Sequence, residues 1–275
     1  MNKTSKIFIS MLILFFLLAT VIYMYIGNTG SNIKENKIIL VGGHEEKSLN
    51  YIPKVLHMTY HSKHSIPKKV YNNHSLYASD YDINIYDDDD GVEIIEKFFS
   101  NDVAVKYSQL NGPHKADLLR YCILYIYGGV YADIKTVFIQ NLSDVIPEGD
   151  HIVIVNSKFS DNTVYNGFIA TPPGKKIFLS LINYILNIEI WVTKLYYLIF
   201  VHDCYAQIKM DIKDNNITSG FNEGYSTNYY VLDEACNRNS GNCNDGLDRY
   251  GLCCYIYDGD LPVIKTRYSD YPWWY

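Results

Sequence analysis

Positive charge is nowhere concentrated in this chain. Lys and Arg total 24 against 30 Asp and Glu, the net charge is −6, and no long basic run occurs. The electrostatic footprint of a nucleic-acid binder is therefore missing. Cysteine is scarce, with six in 275 residues, and no spacing among them matches a standard zinc pattern. His57, His61, His64, His74 and His114 likewise lack metal-ligand intervals with nearby Cys or Glu, so surface or core positions are expected for them. There is no internal repeat, and Asp87 to Asp90 is the one low-complexity patch. The chain is 48% hydrophobic and 20% charged, which suits one sizeable domain with appendages and argues against global disorder.

One long apolar run is present. Ile7 to Ile26 is twenty residues without a charge. As a helix it would extend roughly 30 Å, the thickness of a bilayer core. No shorter apolar region with a small-residue cleavage site, as in a secretory signal, is evident. The expectation is a single-pass type II signal anchor at 7–26 behind a cytosolic tail at 1–6, although Lys3 and Lys6 against Lys34 and Lys37 give only a weak charge bias. A polar stem would follow at 27–50, and a lumenal domain at 51–275, in the Golgi or ER. An oxidising lumen fits disulfides among Cys204, Cys236, Cys243, Cys253 and Cys254, with connectivity open, and a buried thiol at Cys122. Glycosylation sequons at Asn73, Asn141 and Asn216 agree with that topology. Residues 177–200 are also apolar, but Asn183, Asn187, Glu189 and Lys194 interrupt every window, which predicts a core or interfacial helix.

Within the domain, strands and helices alternate. Ile52 to Tyr60 predicts a first strand, Pro67 to Ser79 a short helix and Tyr81 to Tyr86 a second strand. Asp87 to Asp90 then caps a helix over Val92 to Phe99. A helix apolar nearly all round runs from Gly112 to Tyr127, opened by Gly-Pro and closed by Gly128-Gly129. Strands follow at Val130–Ile134, Ile152–Val155 and Val164–Ala170, and Pro172-Pro173-Gly174 opens a helix over Lys175 to Asn187. This order predicts an α/β domain with a mostly parallel sheet, whose ligands bind beyond the carboxyl ends of its strands. Asp133 stands at such an end.

Asp117 and Arg120, three apart, share a face of the buried helix. Opposite charges there need pairing or a use. Taken alone they read better as an ion pair clipping helix to sheet. The continuation adds weight: helix, Gly-Gly, aromatic strand, Asp133. The whole block, Ala116-Asp-Leu-Leu-Arg-Tyr-Cys-Ile-Leu-Tyr-Ile-Tyr-Gly-Gly-Val-Tyr-Ala-Asp133, resembles the signature of glycosyltransferases with a sugar-binding DxD region. Relatives of that family include fungal Golgi initiating mannosyltransferases and large glucosylating toxins. Ile52-Pro-Lys-Val-Leu-His-Met-Thr-Tyr60 is similar to the family's opening strand, with Tyr60 at its tryptophan position. Asn166-Gly-Phe-Ile-Ala-Thr-Pro-Pro-Gly174 and Arg267-Tyr-Ser-Asp-Tyr-Pro-Trp273 resemble later segments.

The resemblance implies a GT-A fold and transfer of a hexose (mannose, galactose or glucose) from a GDP- or UDP-sugar to a glycan or glycoprotein, with retention of configuration. Asp117, Arg120 and Asp133 would be the catalytic residues. Gly128, Gly129, Tyr131, Lys135 and Trp273 would join them around the donor, with Tyr60 stacking on its base. A divalent cation, Mn²⁺ by preference, is implied on Asp133. Lys135 departs from the family pattern, because an ammonium stands where the second carboxylate belongs and repels a cation instead of ligating it. If the strand continues, residues 133 and 135 share a face, and Lys135 either reaches the diphosphate or pairs with Asp133. The competing reading is a non-catalytic, membrane-tethered protein that binds a sugar nucleotide or glycan.

Overall fold

The computed structural model describes residues 40, 49–157, 160–237 and 253–267. The expected anchor at 7–26, nearly all of the stem, and Trp273 lie outside these residues. No helix among the described residues is long and apolar enough to cross a membrane.

The elements run β1 (Val55–Thr59), α1 (Lys68–Tyr77), β2 (Asp82–Tyr86), α2 (Asp88–Phe98), α3 (Asn101–Gln109), α4 (Gly112–Tyr127), β3 (Gly129–Ala132), β4 (Val137–Phe138), α5 (Leu142–Val145), β5 (His151–Asn156), β6 (Phe168–Thr171), α6 (Lys176–Asn187), α7 (Ile190–Leu195), α8 (Ile199–Asp211), β7 (Gly220–Asn222), β8 (Asn228–Asn237), β9 (Cys253–Asp258) and β10 (Leu261–Lys265). The strands form one sheet in the order β2-β1-β3-β6-β5-β8-β9-β10-β4, with β7 beside β8. Parallel ladders join β2 to β1, β1 to β3 and β5 to β8. The other ladders are antiparallel.

The sheet is thus mixed, more so than the expectation of a mostly parallel one. β1, β2, β3, β5, β8 and β10 share a direction, but β6 inserts between β3 and β5 against them. The C-terminal strands β8, β9 and β10 form a meander. A short link such as Gly259-Asp260, between β9 and β10, closes an antiparallel pair, whereas a parallel neighbour needs a long crossover.

Side-chain alternation divides the first strands. Leu56 and Met58 of β1 and Val130 and Ala132 of β3 enter a core with Val70 of α1, Phe138, Leu142 and Val145. The intervening His57, Thr59 and Tyr131 face the other way, toward α4. That helix is buried from Asp117 to Tyr125 because it is covered twice, by β1 and β3 beneath and by α2, α3 and α6 around it. α6 meets it with Phe178, Leu181, Ile182 and Ile185, the spacing of one helical face. The expected core helix here therefore holds, broken at Ile188 before α7. Asp87 caps α2 by accepting from the Asp90 N–H, and Asp90 returns a bond to the Asp87 N–H.

One expectation is corrected. Cys204 is a buried free thiol, like Cys122, while Cys236 and Cys254 form a disulfide between β8 and β9. The Asn73 side chain is engaged with the backbone of Phe138, donating to its carbonyl and accepting from its N–H, both at 2.9 Å. Of the sequon asparagines, Asn73 is thus engaged in the fold, whereas Asn141 and Asn216 are exposed.

Gly128 and Gly129 turn the chain from α4 into β3. Gly128 has φ 62° and ψ −149°, a region that only glycine enters without strain, and Gly129 has φ 86°. A Cβ on Gly128 would also sit 2.6 Å from the Pro173 nitrogen, and one on Gly129 2.6 Å from the Val55 carbonyl. Gly128→Ala is expected to cost about 2–3 kcal/mol of folding free energy, measured by chemical denaturation; a loss under about 0.5 kcal/mol would contradict the turn's role.

Candidate functional site

The site is assembled where α4, the end of β3 and the loop before β6 converge. Arg120 is its centre, with 4% of its side chain exposed. Its Nε donates to the Ala116 carbonyl at 3.1 Å, and its Nη1 donates to the Asn166 carbonyl. Nη2 lies 3.2 Å from Asp117 Oδ1 and 3.4 Å from Asp133 Oδ1. The guanidinium lies 4.5 Å from the centre of the Tyr131 ring, a cation–π contact in a desolvated setting. Asn166 closes the loop on itself, since its amide donates to Asp117 Oδ1 at 2.8 Å.

Asp133 follows the last residue of β3, and its N–H still donates to the Gly167 carbonyl of the neighbouring segment. The strand does not continue to residue 135. A turn closed by the Thr136 N–H on the Asp133 carbonyl bends the chain there, with Asp in the first position that such turns favour. Lys135 nevertheless reaches back, its Nζ 2.8 Å from Asp133 Oδ2. Tyr131 donates to Asp133 Oδ1 at 3.2 Å and accepts from Thr59 Oγ1 at 2.8 Å. Gly167 leaves room for the carboxylate: a Cβ there would lie 2.7 Å from Asp133 Oδ2.

The carboxylates respond differently to burial. For Asp133, burial pushes the pKa up, but the charges of Lys135 and then Arg120 overcome it and hold it at about 2. For Asp117, burial outweighs Arg120 and His114, and the pKa is raised. Burial lowers His57 to about 4, so its ring is neutral. Its Nε2 must donate to the Gly128 carbonyl at 3.0 Å, which leaves Nδ1 to accept from the Tyr86 hydroxyl at 3.0 Å. His57 therefore pins β1 to the glycine turn.

A cavity of about 930 Å³ opens in front of these groups, within the range of small-molecule sites. It lies beyond the carboxyl ends of β1, β2, β3 and β5, as expected for such a sheet. Asp117, Arg120, Asp133, Lys135 and Tyr60 all line it. Gly128, Gly129 and Tyr131 do not: the glycines form the turn and Tyr131 supports Arg120 from behind. Trp273 is outside the described residues.

Sequence reasoning assigned no role to three polar residues in the same cavity, Asn166, Glu234 and Arg267. Glu234 is 4% exposed, accepts from Ser157 Oγ at 2.5 Å, and is raised in pKa by burial against the opposing effects of Ser157, Lys135 and Arg267. An Asp-Glu pair shortly before a cysteine in the C-terminal third carries no pattern that would have found it. Asn166 stood in a family-like segment, but only the fold sets it against Asp117.

With this geometry in view, residues 46–153 match the family model for "Glycosyltransferase sugar-binding region containing DXD motif". The matched segment contains α4, the glycine turn, Asp133 and Lys135. Among solved structures, one similar chain is the "PaToxG Glycosyltransferase", 15% identical, covering 59% of this chain and 70% of that one with a TM-score of 0.44. No curated protein matches the chain.

DXD glycosyltransferases generally use a divalent cation. The residues here do not fit one. Both oxygens of Asp133 face cationic partners, and Lys135 holds the second ligand position. Among the described residues, Glu234, Cys236 and Cys254 alone bring three potential ligand atoms together, and those two sulfurs are spent in the disulfide.

The depressed Asp133 pKa has a definite stability signature. Its contribution is present above the unfolded value near 4 and disappears as pH falls through about 2. Asp133→Asn is expected to cost about 3 kcal/mol at pH 7, with the gap to wild type shrinking as denaturation is measured toward pH 2. An undiminished gap at pH 2 would refute the charge pairing.

Proposed function

We propose that the chain is a hexosyltransferase that moves a sugar from a nucleotide donor to a glycan or glycoprotein acceptor. The observation that carries this reading is the meeting of Asp117, Arg120 and Asp133 at the cavity wall, inside the matched segment. Carboxylates beside a planar guanidinium suit vicinal hydroxyls, and Arg120 is held so firmly that it presents a fixed template. Asp117 and Arg120 would orient the donor hexose, Asp133 its ribose, and Tyr60 would stack on the base from the end of β1. No nucleophile stands out for a double displacement. Retention by a front-face route, with the departing diphosphate accepting the acceptor's proton, suits such a site.

The apolar run at 7–26 supports a type II anchor, and the Cys236–Cys254 disulfide is in keeping with a lumenal domain of the ER or Golgi. One feature favours a second reading, a non-catalytic sugar-nucleotide binder: the Lys135–Asp133 ion pair sits where the family places carboxylates.

A panel of UDP- and GDP-hexoses separates the two. Turnover or slow hydrolysis of one donor is expected, with Asp117→Asn and Asp133→Asn each lowering kcat/KM by about a hundredfold or more. Saturable binding without turnover selects the second reading. Full activity in either variant would show that the site is elsewhere. If ionised Asp117 is required, activity also falls on the acid side as pH drops through its raised pKa, above the ordinary carboxylate range.

A further inference from the structure

We propose that this site handles the donor diphosphate without a divalent cation, and that Lys135 supplies the charge by exchanging partners. The inference rests on the transferase reading and narrows it. A hard dication needs carboxylate oxygens directed at open space. At Asp133 one oxygen is taken by Lys135 at 2.8 Å and the other by Tyr131 at 3.2 Å, beside Arg120 at 3.4 Å. An ion bound to Asp133 would first have to expel an ammonium two residues away. Among the described residues, the two other buried carboxylates of the cavity are already engaged. Asp117 is committed to Arg120 and Asn166, and Glu234 to Ser157 and the cationic side of the cavity.

Two of the cavity's cations, Arg120 and Lys135, differ in freedom of movement. Arg120 is fixed by its two carbonyls and two carboxylates and cannot follow a ligand. Lys135 stands on a turn, has a flexible stem and keeps 26% of its side chain exposed. Its ammonium can swing from Asp133 to a diphosphate, which offers more charge and more acceptor oxygens. The exchange also frees Asp133 Oδ2 for a donor hydroxyl, so one movement readies both groups. During transfer, the bond from the anomeric carbon to the phosphate oxygen breaks as the bond to the acceptor oxygen forms. The electron pair stays on the phosphate oxygen, which takes the acceptor's proton, and Lys135 takes no part in that transfer.

Calorimetry on the full chain in detergent, titrated with UDP and with GDP in chelator or in Mn²⁺, tests this. Wild type is expected to bind one of the two in chelator, with Mn²⁺ changing the affinity less than about threefold. Lys135→Ala and the near-isosteric Lys135→Gln lose about tenfold or more in chelator. Lys135→Asp restores the paired carboxylates and gains Mn²⁺ binding, read by electron paramagnetic resonance with no nucleotide present. A tenfold or greater loss of wild-type affinity on chelation overturns this inference and leaves the transferase reading standing. So does unchanged affinity in both neutral variants. Absence of binding to either nucleotide under every condition overturns both.

Discussion

A guanidinium that is almost wholly buried must be paired, and the site is organised by how Arg120 achieves it. Removing such a cation from water is costly unless nearly every donor finds an acceptor. Here the acceptors come from three separate parts of the chain: Ala116 and Asp117 on α4, Asp133 after β3, and Asn166 before β6. Satisfying one side chain therefore fixes the relative position of helix, strand end and loop. The carboxylates gain as well, because Arg120 offsets the mutual repulsion of two buried anions. The ion pair that clips helix to sheet and the proposed functional constellation are the same object, so on that proposal stability and chemistry cannot be separated at this point.

The parts of the fold legible in the sequence are those whose pattern is local. α4 announced itself by an apolar circumference, a Gly-Pro start and a glycine stop. β1 and β2 alternated, and Asp87 marked the start of α2. The parts that escaped are set by distant partners. α3 is a nine-residue helix containing Val103 and Val105, with little intrinsic preference to reveal it. β4 has only two residues and exists because β10 pairs with it. β8 buries Glu234 among Tyr229, Val231 and Leu232, which spoils the alternation a strand would show. The antiparallel insertion of β6 is a matter of topology, for which four residues of Phe-Ile-Ala-Thr hold no instruction.

The site divides along the same line. Asp117, Arg120 and Asp133 could be picked out because charge in an apolar helix and a carboxylate at a strand end are anomalies visible in one dimension. The purpose of Gly128 and Gly129 was visible only in part: the glycines turned out to shape the backbone, with His57 holding their carbonyl. Lys135 was conspicuous, but the turn that brings it back onto Asp133 depends on Thr136 and could not be read from alternation. Glu234, from a strand far along the chain, entered the cavity unannounced.

The disulfide between β8 and β9 ties those strands two residues beyond Glu234, and Cys254 itself forms part of the cavity wall. The far wall of the cavity is thus cross-linked covalently, whereas the Arg120 wall is held by packing and charge alone. The cross-link joins two directly opposed residues of strands that are already paired from Asp233 to Asn237, so it locks the local register beside Glu234. The spacing between the two walls is left to the sheet, in which β8 is held along β5 from His151 to Asn156. One wall is therefore tied down covalently within itself, and the cavity's width is set by the ladders between the walls.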